Sequence, residues 1–478
     1  MTVRLALLDE LYVDNQLAKV DIAAKNGEFA FRSDGIGAAA VRAIDDPKMV
    51  SILLTASHAN ELDQKVIGSI LQQSWRNLQL IIIDCGPAES GSRQAWPIEK
   101  SDARVNVASL NSTNSLHDAR LAALSLAKGD YILAWDRHLL AHPQMLHLLV
   151  GALRSSPDVM MAFPGVATMS TRMRFSLSAI GNSLSYVGRL PIAHIARSRD
   201  FWNLGAWDEI EALAAAELVQ RAAIRWGGHS LADVEPAVPL AFRVGLSNET
   251  TRLHESGTDI ADVDAAAEYL KQAAYWAKRE MRKGCGTDPA ENPFRASRKI
   301  PFPVPHSLFS ADGGSRQVYD LIIISDLTLL GGTRRCNQGY LRAALRLGIK
   351  TGLYHWPRYD LSLKSDIATV YRELNELDDI DILTACDHAA ADFVLIHHPP
   401  ILKVIPDRLP DIETARLGIL VNQLPWRPSL GEECYYDRVD AEAECVRVFR
   451  KLPTWLPISP VVRRLLVESG YSRLAPED

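Results

Sequence analysis

Residues 49–86 read MVSILLTASHANELDQKVIGSILQQSWRNLQLIIIDCG. Two apolar, β-branched runs, MVSILLTAS and NLQLIIIDCG, flank a stretch with helical spacing, ELDQKVIGSILQQ. Short apolar runs alternating with amphipathic helices predict β-α-β units and a buried parallel sheet. The same alternation continues through VNVASL, a helix over His117–Lys128, the strand within GDYILAWD, and helices over Pro143–Arg154 and Ala212–Trp226. A long Ala-rich helix near Asp259–Lys283 contains neither Gly nor Pro and reads as the closing element of this first domain.

Beyond that helix the chain becomes rich in Pro and Gly and loses periodicity, the composition of a linker over 285–316. The β-α alternation restarts with YDLIIISDL, a GGT turn, the helical RRCNQGYLRAALRLG, and the apolar runs IKTGLYHW, DFVLIHHP and LGILVNQLP. The expected organisation is a prelude at 1–48, an α/β domain at 49–284, the linker, and a second, Rossmann-like α/β domain at 317–478.

At 478 residues, with 47% hydrophobic and 23% charged, the chain has the composition of an ordinary globular protein. Its 52 Lys and Arg against 58 Asp and Glu leave a net charge of -6, which gives no overall electrostatic drive towards nucleic acid or an anionic membrane. Six scattered cysteines form no C-x-x-C pair, so neither a disulfide scaffold nor a structural zinc is expected. The N-terminus lacks the pattern of a signal peptide, and no run of about 18 apolar residues predicts a membrane span. The expected location is the cytoplasm, with peripheral membrane contact left open.

In open α/β sheets, ligands bind outside the carboxyl ends of the strands. Three such ends carry polar residues here: Thr55-Ala56-Ser57-His58, Asp84-Cys85-Gly86 and Asp136-Arg137-His138. A carboxylate at that edge can hold a ribose hydroxyl or a divalent cation, although Asp is also common in loops and helix caps for local reasons. Trp202, Trp207, Trp226 and Trp276 read as core or interface residues ahead of sugar-stacking platforms. His397 and His398 are adjacent on a predicted strand, so alternation sends them to opposite faces and argues against a metal pair. No G-x-G-x-x-G or P-loop is present, so NAD and ATP sites are not expected.

The blocks over 50–92, HDARLAALSLAKGDYILAWDRHLLAHPQML and RSRDFWNLGAWDE occur in the order found in family 2 glycosyltransferases of GT-A fold, and the resemblance covers about Val50 to Val244. The resemblance implies transfer of a sugar from a nucleotide sugar to a glycan or polysaccharide acceptor. It assigns nucleotide-sugar contacts to Ala56, His58, Asp84 and Asp136, places a Mn or Mg ion at Asp136 with His138, and requires a catalytic base, for which Glu217 or Glu211 is the candidate in this chain.

Several family carboxylates are replaced. Cys85 follows Asp84, His138 stands at the metal-binding end of the D-x-D, and Ala214 and Ala215 occupy the place of the catalytic acidic pair. Glu217 lies about 200° further round the same helix. A non-catalytic pseudo-glycosyltransferase that binds a glycan, a nucleotide or a partner is therefore the rival expectation.

The stretch from Tyr319 to Gly470 resembles the N-terminal half of GT-B glycosyltransferases. Gly331-Gly332-Thr333, between a strand and a helix, offers backbone N–H groups to the phosphate or sugar of a nucleotide sugar, or is only a flexible strand-to-helix turn, and Arg334, Arg335, His355, Arg358 and Tyr359 near the same strand ends are candidates for acceptor contacts. Because such enzymes need a second half, the natural chain is expected to continue past Asp478.

Overall fold

A computed structural model describes residues 2–19, 22–25, 28–31, 42–56, 61–84, 101–109, 116–170, 175–176, 178–180, 183–210, 213–244, 263–283, 300–308, 316–360, 366–377, 379–426 and 434–476. The chain divides into two compact units, Met1–Ile260 with Trp276–Ile300, and Ala261–Tyr275 with Pro301–Asp478.

The first unit is built on seven strands: β1 (Val50–Ala56), β2 (Leu78–Asp84), β3 (Val105–Ser109), β4 (Tyr131–Trp135), β5 (Met161–Pro164), β6 (His194–Arg197) and β7 (Leu231–Val234). Their order is β3-β2-β1-β4-β6-β5-β7. β1 to β4 are mutually parallel, as the alternation predicts, but β6 runs antiparallel to both β4 and β5. The expected purely parallel sheet is thus a mixed one. The reversal lies in four-residue strands, too short to carry a periodic signal in the sequence. Leu139–Ala141, Val166–Met169 and Ala241–Val244 belong to a second, five-stranded sheet.

The central strands are apolar because both faces are covered. In β2 only Asp84, at the carboxyl end, escapes full burial. Helix α1 (Thr2–Asp14) opens the chain, followed by α2 (Glu61–Leu71), α3 (Leu116–Leu126) and α4 (Met145–Ser155). In α4 the buried residues Met145, Leu146, Leu149, Val150 and Leu153 follow the helical repeat and form one apolar stripe. The prelude is not an appendage: Leu8, Tyr12 and Leu17 join the core of this unit, and the Tyr12 hydroxyl donates to the Pro239 carbonyl at 2.6 Å. α5 (Ser198–Leu204) and α6 (Ala214–Trp226) pack with α3 on a second core that includes Phe201, Leu204, Trp207 and Leu218. Trp207 and Trp276 are buried as expected, whereas Trp202 is 40% exposed.

Helix α7 (Val263–Arg282) has its first half, through Tyr275, in the second unit. There Glu268 and Gln272 hold the buried Arg372 guanidinium at 2.6 and 2.9 Å.

The second unit has a six-stranded parallel sheet: β8 (Gln317–Ser325), β9 (Thr351–His355), β10 (Ile380–Leu383), β11 (His388–His397), β12 (Asp411–Val421) and β13 (Thr454–Pro457). The order β10-β9-β8-β11-β12-β13 is doubly wound, with the direction of progression reversing between β8 and β11. Helix α8 (Gly332–Leu347) follows β8 and ends in a left-handed Gly348, which removes the Cβ penalty of that cap.

One close approach locks the first sheet. Gly129, just before β4, donates its N–H to Ser51 Oγ at 2.8 Å, and a Cβ there would lie 2.5 Å from the Ser51 nitrogen and 2.8 Å from the Met49 oxygen. These are backbone atoms of the central strand and its approach, which cannot swing aside. Gly129→Ala is expected to lower stability by about 1–3 kcal/mol, the usual cost of overpacking. Urea unfolding of the full chain measures it, and an unchanged midpoint would show that β1 and β4 can separate at no cost.

Candidate functional site

Register decides which side chains share the carboxyl edge of the first sheet. Ala56 pairs with Asp84 across β1 and β2, and Leu54 pairs with Trp135 across β1 and β4. Asp136 follows directly on Trp135, so Ala56, Asp84 and Asp136 come to one edge of three adjacent strands. Asp84 is half-buried there. His58, Cys85 and Glu211 lie outside the described residues.

Asp136 Oδ1 accepts the His138 backbone N–H at 2.7 Å, a local turn that fixes the carboxylate over its own loop. Burial holds the His138 imidazole below the ordinary histidine range; Asp136 opposes this, while Arg137 and Arg243 add to it. Arg137 is paired at 2.8 Å with Asp63, a buried carboxylate in the first turn of α2. The position thus offers one committed carboxylate and one imidazole, with two guanidinium groups as electrostatic neighbours. Among the described residues no group of three or more His, Cys, Asp or Glu side chains is placed to hold a metal ion. Two donors beside guanidinium groups are fewer oxygen ligands than a divalent cation prefers.

Glu217, expected as the base, is buried in the first turn of α6. Arg221 takes both of its oxygens, at 2.9 and 2.7 Å, and also holds the carbonyls of Leu204 and Ala206. In this arrangement the carboxylate ties α6 to the loop after α5 and has no oxygen left uncommitted to Arg221. Ala214 and Ala215, in the place of the family's acidic pair, are buried core residues.

The carboxylate that the sequence reading passed over is Asp208, four residues beyond Leu204 in that same loop. His117 Nδ1 lies 2.9 Å from its backbone carbonyl. His117 sits at the start of α3, the crossover from β3 to β4, whose first turn must lie at the carboxyl edge of the parallel strands. Asp208 therefore belongs to that edge. Burial, helped by the charge of Glu217, raises its pKa to about 7, against the pull of Arg221 and Arg120. A carboxyl poised there suits general acid–base work near neutral pH. Its trace in the sequence is the end of the block RSRDFWNLGAWDE, Asp208-Glu209.

In the second unit, Gly331 caps α8 at φ 79°, and Thr333 is buried one residue into the helix from Gly332. Thr333 Oγ1 accepts from Asn422 Nδ2 at 2.8 Å. Arg334 is spent on the Leu329 and Thr328 carbonyls, and Arg358 is chelated by Asp360. His355 Nδ1 accepts the Leu327 N–H, Tyr359 lies under Lys403, and Arg335 is exposed.

The raised pKa of Asp208 has a thermodynamic sign. Between an unfolded value near 4 and a folded value of about 7 the native state binds the extra proton, so stability contributed by this group is lost as pH rises through 7. Asp208→Asn removes that dependence. The stability difference between variant and wild type is expected to shift in the variant's favour from pH 4 to pH 8, read by urea unfolding at each pH; a constant difference would place the Asp208 pKa in the ordinary range.

No curated protein matches the chain. Residues 57–205 match the family model described as Glycosyl transferase family 2, a span that contains Asp84, Asp136 and His138 and ends three residues before Asp208, and this supports a family 2 glycosyltransferase domain in the first unit.

Proposed function

We propose that the first unit binds a nucleotide sugar at the carboxyl edge of β1, β2 and β4 and transfers its sugar to a hydroxyl of a glycan, in the assembly of a surface or secreted polysaccharide on the cytoplasmic side of a membrane. The observation that carries this reading is the register that brings Asp84 and Asp136, both within the segment matching glycosyl transferase family 2, to one edge with Ala56 just before it. Asp84 contacts the base and Asp136 the ribose. Arg137 and Arg243, beside His138, offset the charge of the diphosphate in the role otherwise given to a cation. Asp208 takes the proton of the acceptor hydroxyl as its oxygen bonds to the anomeric carbon. The bond from that carbon to the diphosphate oxygen breaks, and its electron pair leaves with the nucleoside diphosphate. The second unit is read as a GT-B-like half, on the support of its doubly wound strand order.

A second reading is favoured by one specific observation. Ala214 and Ala215 stand in the place of the acidic pair, and Glu217 is held by Arg221. On that reading the unit binds a nucleotide, a glycan or a partner and turns nothing over.

Calorimetry of the full chain with UDP-, GDP- and dTDP-sugars, with and without Mn²⁺, combined with nucleotide release from the bound donor, separates the two. Transfer predicts binding of one donor class that Mn²⁺ does not change, loss of binding in Asp84→Ala, and nucleotide release reduced about 10²–10⁴-fold in Asp208→Asn with binding retained. Binding without release supports the second reading. Mn²⁺-dependent binding would restore the cation at Asp136 and His138, and no binding at all would overturn the donor site.

A further inference from the structure

The loop that carries Asp208 is held by side chains from two helices. It leaves α5 through Gly205 at φ 91° and reaches Ile210, whose N–H bonds to Asp208 Oδ1 at 3.0 Å. Arg221 of α6 takes the Leu204 and Ala206 carbonyls, each at 2.8 Å. Trp207 packs edge-on against Phe201, ring centres 5.0 Å apart, and Arg120 of α3 lies 5.8 Å from the Trp207 ring centre. The Asp208 carbonyl goes to His117 Nδ1 at 2.9 Å. His117 is three residues before Arg120, so both grip the loop from one face of α3.

The bond from His117 has only one possible direction. A carbonyl accepts and cannot donate, so Nδ1 carries the proton whether the imidazole is neutral or charged. The hold is therefore independent of the ionisation of His117 itself. Among the described residues His117 bonds to the backbone of Asp208 and not to its carboxyl. Its influence on the carboxyl runs through the chain. Fixing the carbonyl fixes the peptide plane after Asp208, and that plane leads to the Ile210 N–H on which the carboxyl closes its turn.

We propose that His117 is the positioning residue for the site of the first unit: its Nδ1–H, bonded to the Asp208 carbonyl, sets the turn that aims the Asp208 carboxyl at the acceptor hydroxyl. This rests on the reading of Asp208 as the group that takes the acceptor proton, and gives that group its aim. Proton transfer is sensitive to placement, and an error of about 1 Å can cost about 100-fold in rate.

Two isosteres separate position from chemistry. The amide nitrogen of Asn stands where Nδ1 stands in histidine, and that of Gln where Nε2 stands. In the full chain, His117→Asn is expected to release nucleotide from the bound donor within about threefold of wild type, whereas His117→Gln and His117→Ala fall about 10–100-fold. Donor affinity by calorimetry stays unchanged in all three. Wild-type release in His117→Ala overturns the proposal. A loss in His117→Asn as large as in His117→Ala also overturns it, because the imidazole would then act through Nε2. His117→Gln carries the comparison if His117→Ala does not fold.

Asp208→Asn, measured beside them, tests the reading of the base by itself: release at the wild-type rate in that variant removes Asp208 as the proton acceptor. If wild type releases no nucleotide, urea unfolding across about pH 4–8 decides the positioning. Asp208 is faced by Glu217 and Arg221 from α6 and by Arg120 and His117 from α3. The pH dependence that Asp208 gives to stability is expected to survive His117→Asn and to shrink in His117→Ala, because a loop released from α3 rehydrates the carboxyl. Survival of that dependence in both variants shows that His117 does not place Asp208.

Discussion

The first unit depends on a single buried hydroxyl. Ser51 Oγ donates to Gln79 Oε1 on β2 at 2.8 Å and accepts the N–H groups of Lys128 and Gly129, which deliver the chain to β4. Three neighbouring strands are thereby held to one register from the end opposite the site. Strand side chains alternate, so a slip of one residue would send every side chain of β1 or β2 to the opposite core face and carry Asp84 away from Asp136. The geometry at the carboxyl edge is thus set some five residues away, by a group that takes no part in chemistry.

Burial does the remaining tuning, and it does so in opposite directions for acids and bases. At Asp208 the cost of burying a charge, reinforced by Glu217, holds a proton on the carboxyl group up to about pH 7. At His397 and His398 the same cost disfavours the second proton that would charge the imidazole. Glu217 shows the third outcome: a buried carboxylate kept company by a bidentate guanidinium, structural in consequence. Which fate befalls a given titratable residue depends on its partner, and all the partners come from other elements or other turns.

The doubly wound order of the second unit places its polar residues where such sheets bind ligands, beside the reversal between β8 and β11. Asn337 reaches that point from α8 and Asn422 from the end of β12. Each orients one histidine through its Nδ1.

The sequence by itself determined the β-α-β alternation, the strands β1, β2, β4, β8 and β9, the helices between them, and the carboxyl-end position of Asp84 and Asp136. These are legible because an apolar run bounded by polar residues, and a helical repeat, are local properties of the chain. Strands of four residues such as β5, β6 and β7 carry no such pattern, and the antiparallel direction of β6 exists only in relation to β4 and β5. The same limit applied to the sites. Glu217 could be singled out by its residue type, but its capture by Arg221 required a folded helix and the loop beside it. Asp208 gained its proton affinity, and His397 and His398 their asparagine partners, only when distant segments closed over them. Desolvation and hydrogen-bond pairing act through space, so only the tertiary structure could decide them.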